Sequence, residues 1–258
     1  MNAKVAQKRI PKGCFLTPQK KRVIMSEIHL SAIPENIRSI QAQITQACKA
    51  ANRAPNSVKL VAISKTKPDS YLQKALDAGQ LDFGENKIQE LAGKMDRLDE
   101  KAIWHMVGAL QSNKIKYMID KVHWIHSVPK LKTLKEIEKR AEAINREVNC
   151  LIQVNISDED QKSGCAPEDL HELLTAASTM QFAKVRGLMG IATNTEDENV
   201  LKIEFSLLRK LKEEAAEAFK GRLDLSELSM GMTNDLAIAI VEGSTMVRIG
   251  TAIFGGRN

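Results

Sequence analysis

Residues 58–65 read VKLVAISK, and this stretch decides the fold. It is nearly all apolar up to Ser64, and Thr66, Lys67 and Pro68 follow Lys65 directly. A short apolar run bounded by a proline reads as a strand covered on both faces, as in a parallel sheet. Lys65 then leaves the core at the strand's carboxyl end, where open and barrel α/β folds bind their ligands. A lysine partly desolvated there can lose its proton near neutral pH and attack a carbonyl carbon. A solvated loop lysine is the commoner occupant of such a position, so the rest of the chain has to decide between the two.

Outward from this strand, strand and helix patterns alternate. Further strands are predicted at residues 81–84, 102–107, 124–127, 150–155, 185–189, 227–229 and 246–249, which with the first makes eight. Between them lie helical repeats such as residues 131–148, where Leu131, Leu134, Ile137, Ala141, Ile144 and Val148 recur every three or four positions, and residues 200–219. Residues 236–241 (LAIAIV) have strand-like composition. Asn234 and Asp235 before them and Gly243 after them fit the two ends of a short buried helix instead. In front of everything, Ile33, Ile37, Ile40, Ile44 and Cys48 share one face of a helix predicted over 34–51, with Pro34 in its first turn. Eight βα units without a glycine- or proline-rich linker predict one closed (β/α)8 TIM barrel with an extra N-terminal helix over residues 29–258; a doubly wound open sheet is the alternative.

The formal charge of +6 is a local matter. Seven of the 38 basic residues lie in positions 1–24, which hold no acid; the remaining 31 face 32 acids, leaving the body near −1. Residues 1–28 therefore read as a basic, disordered leader, and Met25 is a second candidate for the start of the chain. No apolar run is long enough to cross a bilayer, and Cys14, Cys48, Cys150 and Cys165 show no paired spacing. A reducing cytoplasm, no membrane and no nucleic-acid partner are the expectations. The five histidines lack metal-ligand spacing, so no metal is expected.

In a barrel the ligand site is built from the segments after each strand. Here these hold Lys65, then Glu85 and Asn86, then His105 with Gly108 to Lys114, then Asp158 to Gly164, then Gly190 and Thr193. The seventh strand runs into Ser229, Met230, Gly231, Met232 and Thr233, the eighth into Arg248, Ile249, Gly250 and Thr251. Those two loops are where barrels hold phosphate, because small residues let backbone amides approach and a helix start adds its positive end. A carbonyl-reactive lysine facing a phosphate cradle suits a phosphorylated aldehyde, with pyridoxal 5′-phosphate the leading candidate. Glu85 is expected to cap the following helix. Lys162, among Asp158, Glu159 and Asp160, reads as a surface ion pair or a weak second anion site.

The motifs VAISKTKP (61–68), FGENKIQE (83–90), WHMVGALQSNK (104–114), QVNISDEDQKSG (153–164), RGLMGIAT (186–193), LSMGMTND (228–235) and GSTMVRIGTAIFG (243–255) together resemble the pyridoxal phosphate homeostasis proteins, whose barrel is that of the alanine racemase N-terminal domain. The resemblance covers about residues 30–256. It implies a pyridoxal 5′-phosphate aldimine on Lys65, phosphate contacts at Ser229, Gly231, Gly250 and Thr251, Arg248 near the pyridine nitrogen, and Asn86 and His105 close to the cofactor. Small departures are Ala109 where a proline is common and Thr233 where a serine is common.

Three functions follow as expectations. The first is a cofactor-binding protein of intracellular vitamin B6 homeostasis with little or no turnover, a monomer that passes its cofactor to apoenzymes. The second is a racemase-like enzyme, and the third a phosphosugar-type barrel enzyme without this cofactor. Arg248 argues against the racemase, since an obligate donor at the ring nitrogen disfavours ring protonation and weakens the electron sink. The chain's end at Asn258, just past the last barrel motif, is a further expectation against a second catalytic domain.

Overall fold

The computed structural model describes residues 18–157 and 164–256, with side chains from Leu30 onward. Eight parallel strands close into one barrel in sequence order. They are β1 (Lys59–Ile63), β2 (Asp82–Glu85), β3 (Ile103–Met106), β4 (Trp124–Val128), β5 (Val148–Gln153), β6 (Ala183–Met189), β7 (Glu227–Ser229) and β8 (Met246–Ile249). Closure is made by β1 against β8, with Val61 opposite Arg248 and Ala62 opposite Ile249. The helices are α1 (Pro18–Ala50), α2 (Asp69–Asp77), α3 (Ile88–Met95), α4 (Leu131–Glu142), α5 (Leu170–Ala177), α6 (Glu198–Ala218), α7 (Leu236–Val241) and α8 (Thr251–Phe254). A 3-10 segment, Ser112–Tyr117, stands where a helix would follow β3.

The expected barrel is therefore the observed one, and residues 236–241 are a helix. Strand ends shift by one or two residues, as in β5 and β6, and two helix boundaries differ by more. Helix α1 begins at Pro18 rather than near Pro34, so Pro34 lies inside it and residues 18–28 of the expected leader are helical; a proline there costs one backbone hydrogen bond without ending the helix. Helix α4 stops at Glu142 although its apolar period runs on to Val148. Asn145 takes a left-handed φ of 50°, which asparagine tolerates, and the chain turns there so that Val148 opens β5.

Side chains alternate between two environments along each strand. Leu60, Ala62, Phe83, Trp104, Met106, Ile125, Cys150, Ile152, Leu228 and Val247 face outward and form one apolar layer with the helices. Helix α1 joins this layer through the face expected of it, with Ile33 and Cys48 fully buried. It also ties the barrel's last units to its first: Asn36 donates to Ile253 O at 2.9 Å, and beyond the helix Arg53 donates to Ile240 O and Ser244 O at 2.9 and 2.7 Å. The inward positions carry Asp82, His105, His126, Ser229 and Arg248 among the apolar Val61 and Met246, so the lumen holds a polar chain within apolar surroundings. No described helix is long and apolar enough to cross a membrane.

Candidate functional site

At the carboxyl ends of β1 and β8 a cavity of about 180 Å3 is lined by Ile63, Lys65, Thr66, Lys67, Met232, Thr233, Arg248, Gly250, Thr251 and Gly255. A larger cleft, about 450 Å3, lies on the outside near the start of β6, but its charged groups are engaged, Lys184 with Glu147, Arg186 with Asp224 and Arg222 with Ala218 O and the Phe219 ring. The small cavity is the better candidate because two lysines, an arginine, three threonines and a helix start converge on it.

Four of the expected residues, Lys65, Arg248, Gly250 and Thr251, line this cavity together. Lys65 is half-buried and follows Ser64, which is fully buried. The backbone on both sides of Lys65 is anchored: Lys94 Nζ donates to Ser64 O at 2.8 Å, and Thr66 N donates to Glu90 Oε1 at 2.6 Å. Gly250 sits against β1, and a Cβ there would lie 3.2 Å from Ile63 O. The first amides of α8, which follows Gly250 directly, have no intrahelical acceptor.

The other expected residues lie elsewhere. Gly231 has a φ of 96° and packs on Ala239, where a Cβ would come within 2.6 Å of the alanine methyl, so it turns the chain into α7 and does not line the cavity. Asn86 is half-buried beside Gly108 and also lies outside the lining. Ser229 and His105 are fully buried in the lumen beneath. Glu85 does not cap α3: it is buried, accepts from Ser64 Oγ and Lys94 Nζ at 2.6 Å each, and keeps Oε2 without a partner. Burial pushes its carboxyl up, against the pull of Lys94 and Ser64. The weak anion site expected at Lys162 and its neighbours falls outside the described residues.

Sequence reasoning named Thr233 only as part of the seventh loop and as a departure, yet it reaches the cavity where Ser229 does not. It also missed Lys67, which lines the cavity while donating to Gly256 O at 2.8 Å. Three cations, Lys65, Lys67 and Arg248, border the cavity. Lys94 was missed too, although its place on the apolar face of α3 beside Leu91 and Met95 was a signal.

Beneath the cavity a chain of contacts crosses the lumen. Arg248 Nη1 donates to Ser229 Oγ at 2.7 Å and Nη2 to Gly190 O at 3.0 Å. Ser229 Oγ meets His126 Nδ1 at 2.9 Å, His126 Nε2 meets His105 Nδ1 at 2.9 Å, and His105 Nε2 meets Asp82 Oδ1 at 2.9 Å. Lys59 Nζ stands 3.4 Å from the same Asp82 oxygen. Burial lowers both histidines, His126 further still because His105 and the Arg248 charge lie close. Burial also pulls the Arg248 guanidinium down to about 10, against Asp235. Burial alone would raise Asp82, but His105 and Lys59 hold it below the ordinary carboxylate range.

A closed (β/α)8 barrel with a lysine on β1 and small-residue loops after β7 and β8 defines a class, that of the alanine racemase N-terminal domain, whose family model matches residues 28–258. An alanine racemase from Corynebacterium glutamicum shares the fold, with a TM-score of 0.69 over 88% of this chain and 62% of that one at 14% identity. Within the class the similarity is much closer to one group. A pyridoxal phosphate homeostasis protein of Pseudomonas aeruginosa is 42% identical over 230 residues, 89% of this chain and 97% of that protein. The structure of PipY from Synechococcus elongatus with pyridoxal phosphate bound superposes with a TM-score of 0.76 at 33% identity, over 86% of this chain and all of that one. The chain belongs to the pyridoxal phosphate homeostasis protein family.

Proposed function

We propose that this protein binds pyridoxal 5′-phosphate at the mouth between β1 and β8, covalently through Lys65, and serves intracellular cofactor homeostasis with little or no turnover of its own. The observation that carries the reading is the convergence of Lys65, Thr233, Arg248, Gly250 and Thr251 on one small cavity. The family supports it through relatives named for this role and one solved with this cofactor bound. The racemase alternative is supported by fold alone.

The residues present fit the group. When bound, the cofactor supplies an electrophilic carbonyl and an aromatic ring that can accept electrons. The Lys65 amine is the nucleophile for the carbonyl, and its flanking peptide groups are anchored by Lys94 and Glu90 so that it need not be ordered on binding. The hydroxyls of Thr233 and Thr251 and the first amides of α8 are the donors for a phosphate, with Lys67 adding charge at the rim. Arg248, held by Ser229 and Gly190 and lining the cavity, would be the obligate donor toward a ring nitrogen and so would disfavour its protonation. Besides Lys65, the lining carries the Lys67 amine, which burial lowers and which is bonded to Gly256 O. A wall of this kind binds and exchanges a cofactor without the paired acid and base that stereoinversion needs.

The experiment is borohydride reduction of the protein with pyridoxal 5′-phosphate, followed by peptide mass analysis. The adduct is expected on the peptide containing Lys65 and absent from Lys65→Ala, which should melt like the cofactor-free wild type. No visible absorption band with added cofactor, or an adduct mapping to another lysine, would overturn the reading; steady racemisation of an amino acid by the pure protein would restore the enzyme.

A further inference from the structure

The five polar side chains that cross the lumen form a chain with an obligate donor at one end and an obligate acceptor at the other. Arg248 can only donate, so Ser229 Oγ accepts from it and is left to donate its own proton to His126 Nδ1. Read from the floor, the Asp82 carboxylate can only accept, so His105 Nε2 carries a proton. In a neutral His105 the Nδ1 is then an acceptor, so His126 Nε2 carries a proton and His126 Nδ1 is bare. Both ends demand the same arrangement. The two rings are fully buried, and burial keeps both of them uncharged, which is the condition the argument requires.

We infer that Asp82, at the floor of the barrel, is a positioning residue for Arg248 at the mouth, acting through His105, His126 and Ser229 in a single-direction hydrogen-bond chain with both imidazoles in the Nε2–H form. Asp82 touches nothing in the cavity; its role is to make His105 a donor downward, and so to leave Ser229 an acceptor upward. Lys59, 3.4 Å from Asp82 and stacked 5.4 Å over Trp124, keeps that carboxylate ionised from the floor side. The chain explains why His105 and Ser229, neither of which lines the cavity, lie in the segments that the site motifs occupy. The effect on cofactor retention rests on the reading of the mouth given above; the proton arrangement does not.

The test has two arms. In the cofactor-free protein, nitrogen-15 NMR of the histidine side chains at neutral pH is expected to show both His105 and His126 protonated on Nε2 and bare on Nδ1. A proton on Nδ1 of either ring overturns the proposal whether or not any cofactor binds. In the second arm, pyridoxal 5′-phosphate is titrated into Asp82→Leu, Asp82→Asn and Ser229→Ala. Loss of the anchoring acceptor in Asp82→Leu, or of the Arg248 partner in Ser229→Ala, should weaken retention roughly tenfold, the scale of one hydrogen bond to a charged group. Asp82→Asn, whose amide oxygen still accepts from His105, should stay within about twofold of wild type. If Asp82→Leu does not fold, Asp82→Ser replaces it, being too short to reach His105. A folded Leu or Ser variant that retains the cofactor as wild type does would overturn the remote role. Failure of the wild type itself to bind would instead overturn the reading of the mouth and leave the NMR result to decide the chain.

Discussion

The two faces of the barrel strands are built on different principles. Outward, between strands and helices, the layer is apolar and continuous, with Phe83, Leu72, Phe205 and Ile125 fully excluded from water. Inward, the same strands carry Asp82, His105, His126, Ser229 and Arg248, each held by a directed hydrogen bond. Apolar packing tolerates exchange of one hydrocarbon shape for another, whereas a polar chain tolerates loss of no link without stranding its neighbours. The outer layer specifies the fold; the lumen specifies which chemistry the mouth can hold.

The sharpest test of that division is Phe205→Ala on α6, a full deletion in the outer layer. It should cost about 3–5 kcal/mol in urea unfolding while leaving cofactor stoichiometry in the folded fraction unchanged. A folded Phe205→Ala protein with altered stoichiometry would mean that the two faces are coupled.

The outer layer holds a buried ion pair, Lys94–Glu85, with side chains 4% and 0% exposed. Lys94→Ala removes the counter-charge found among the described residues for a buried carboxylate that already has one unpartnered oxygen, and should cost about 3 kcal/mol. Replacing both, Lys94→Met with Glu85→Leu, should recover most of that stability but loosen the backbone around Lys65, seen as faster hydrogen exchange of the Thr66 amide. If the double variant is as unstable as the single, the pair is a net stabiliser and not a positioning device.

The lumen should show itself in the pH dependence of the cofactor-free protein. His105 and His126 both lie below their ordinary value of 6.5 in the folded state, so the unfolded chain takes up protons first as the medium is acidified. Their contribution is fully present above about 6.5 and is lost as pH falls below it, with a limiting slope of about 1.4 kcal/mol per pH unit for each histidine. His126→Asn should flatten this slope; an unchanged slope would assign the acid sensitivity to other groups.

The smallest stability effect is expected at the mouth. Gly250→Ala places a methyl 3.2 Å from Ile63 O, a contact the neighbours can relieve by small shifts, so its cost should stay near 1 kcal/mol. Gly250→Val should in contrast weaken cofactor retention strongly by blocking approach to the first amides of α8, measured by equilibrium dialysis.

The two faces also differed in how far they could be read from the chain. The outer layer repeats with the period of its elements, so all eight strands were legible, as was the helix at Leu236–Val241. Where the period misled, a single backbone angle was responsible: α4 ends because Asn145 turns left-handed, although Ile144 and Val148 continue the helical spacing. The lumen has no period. His126 lies in β4 and Ser229 in β7, and nothing in their spacing of 103 residues shows that they meet across the barrel. At the mouth, Lys65, Arg248, Gly250 and Thr251 were legible because each follows or ends a strand. Ser229 lies beneath the lining because one strand position separates a residue at the rim from one below it, and Thr233, further along the loop, takes the rim.

The mouth lies on the seam where β1 meets β8, and this has a consequence for how the protein is made. The amine on Lys65 leaves the ribosome well before Arg248, Gly250 and Thr251, and Val61 cannot pair with Arg248 until that residue has followed. Contacts of such long sequence separation form late in folding because the whole intervening chain must be closed into a loop first. The clasp of Arg53 on Ile240 and Ser244 spans the same gap. The binding site is therefore assembled by ring closure itself, and a half-synthesised or opened chain displays the lysine without the cradle, so a captured ligand marks a barrel that has finished folding and holds it shut.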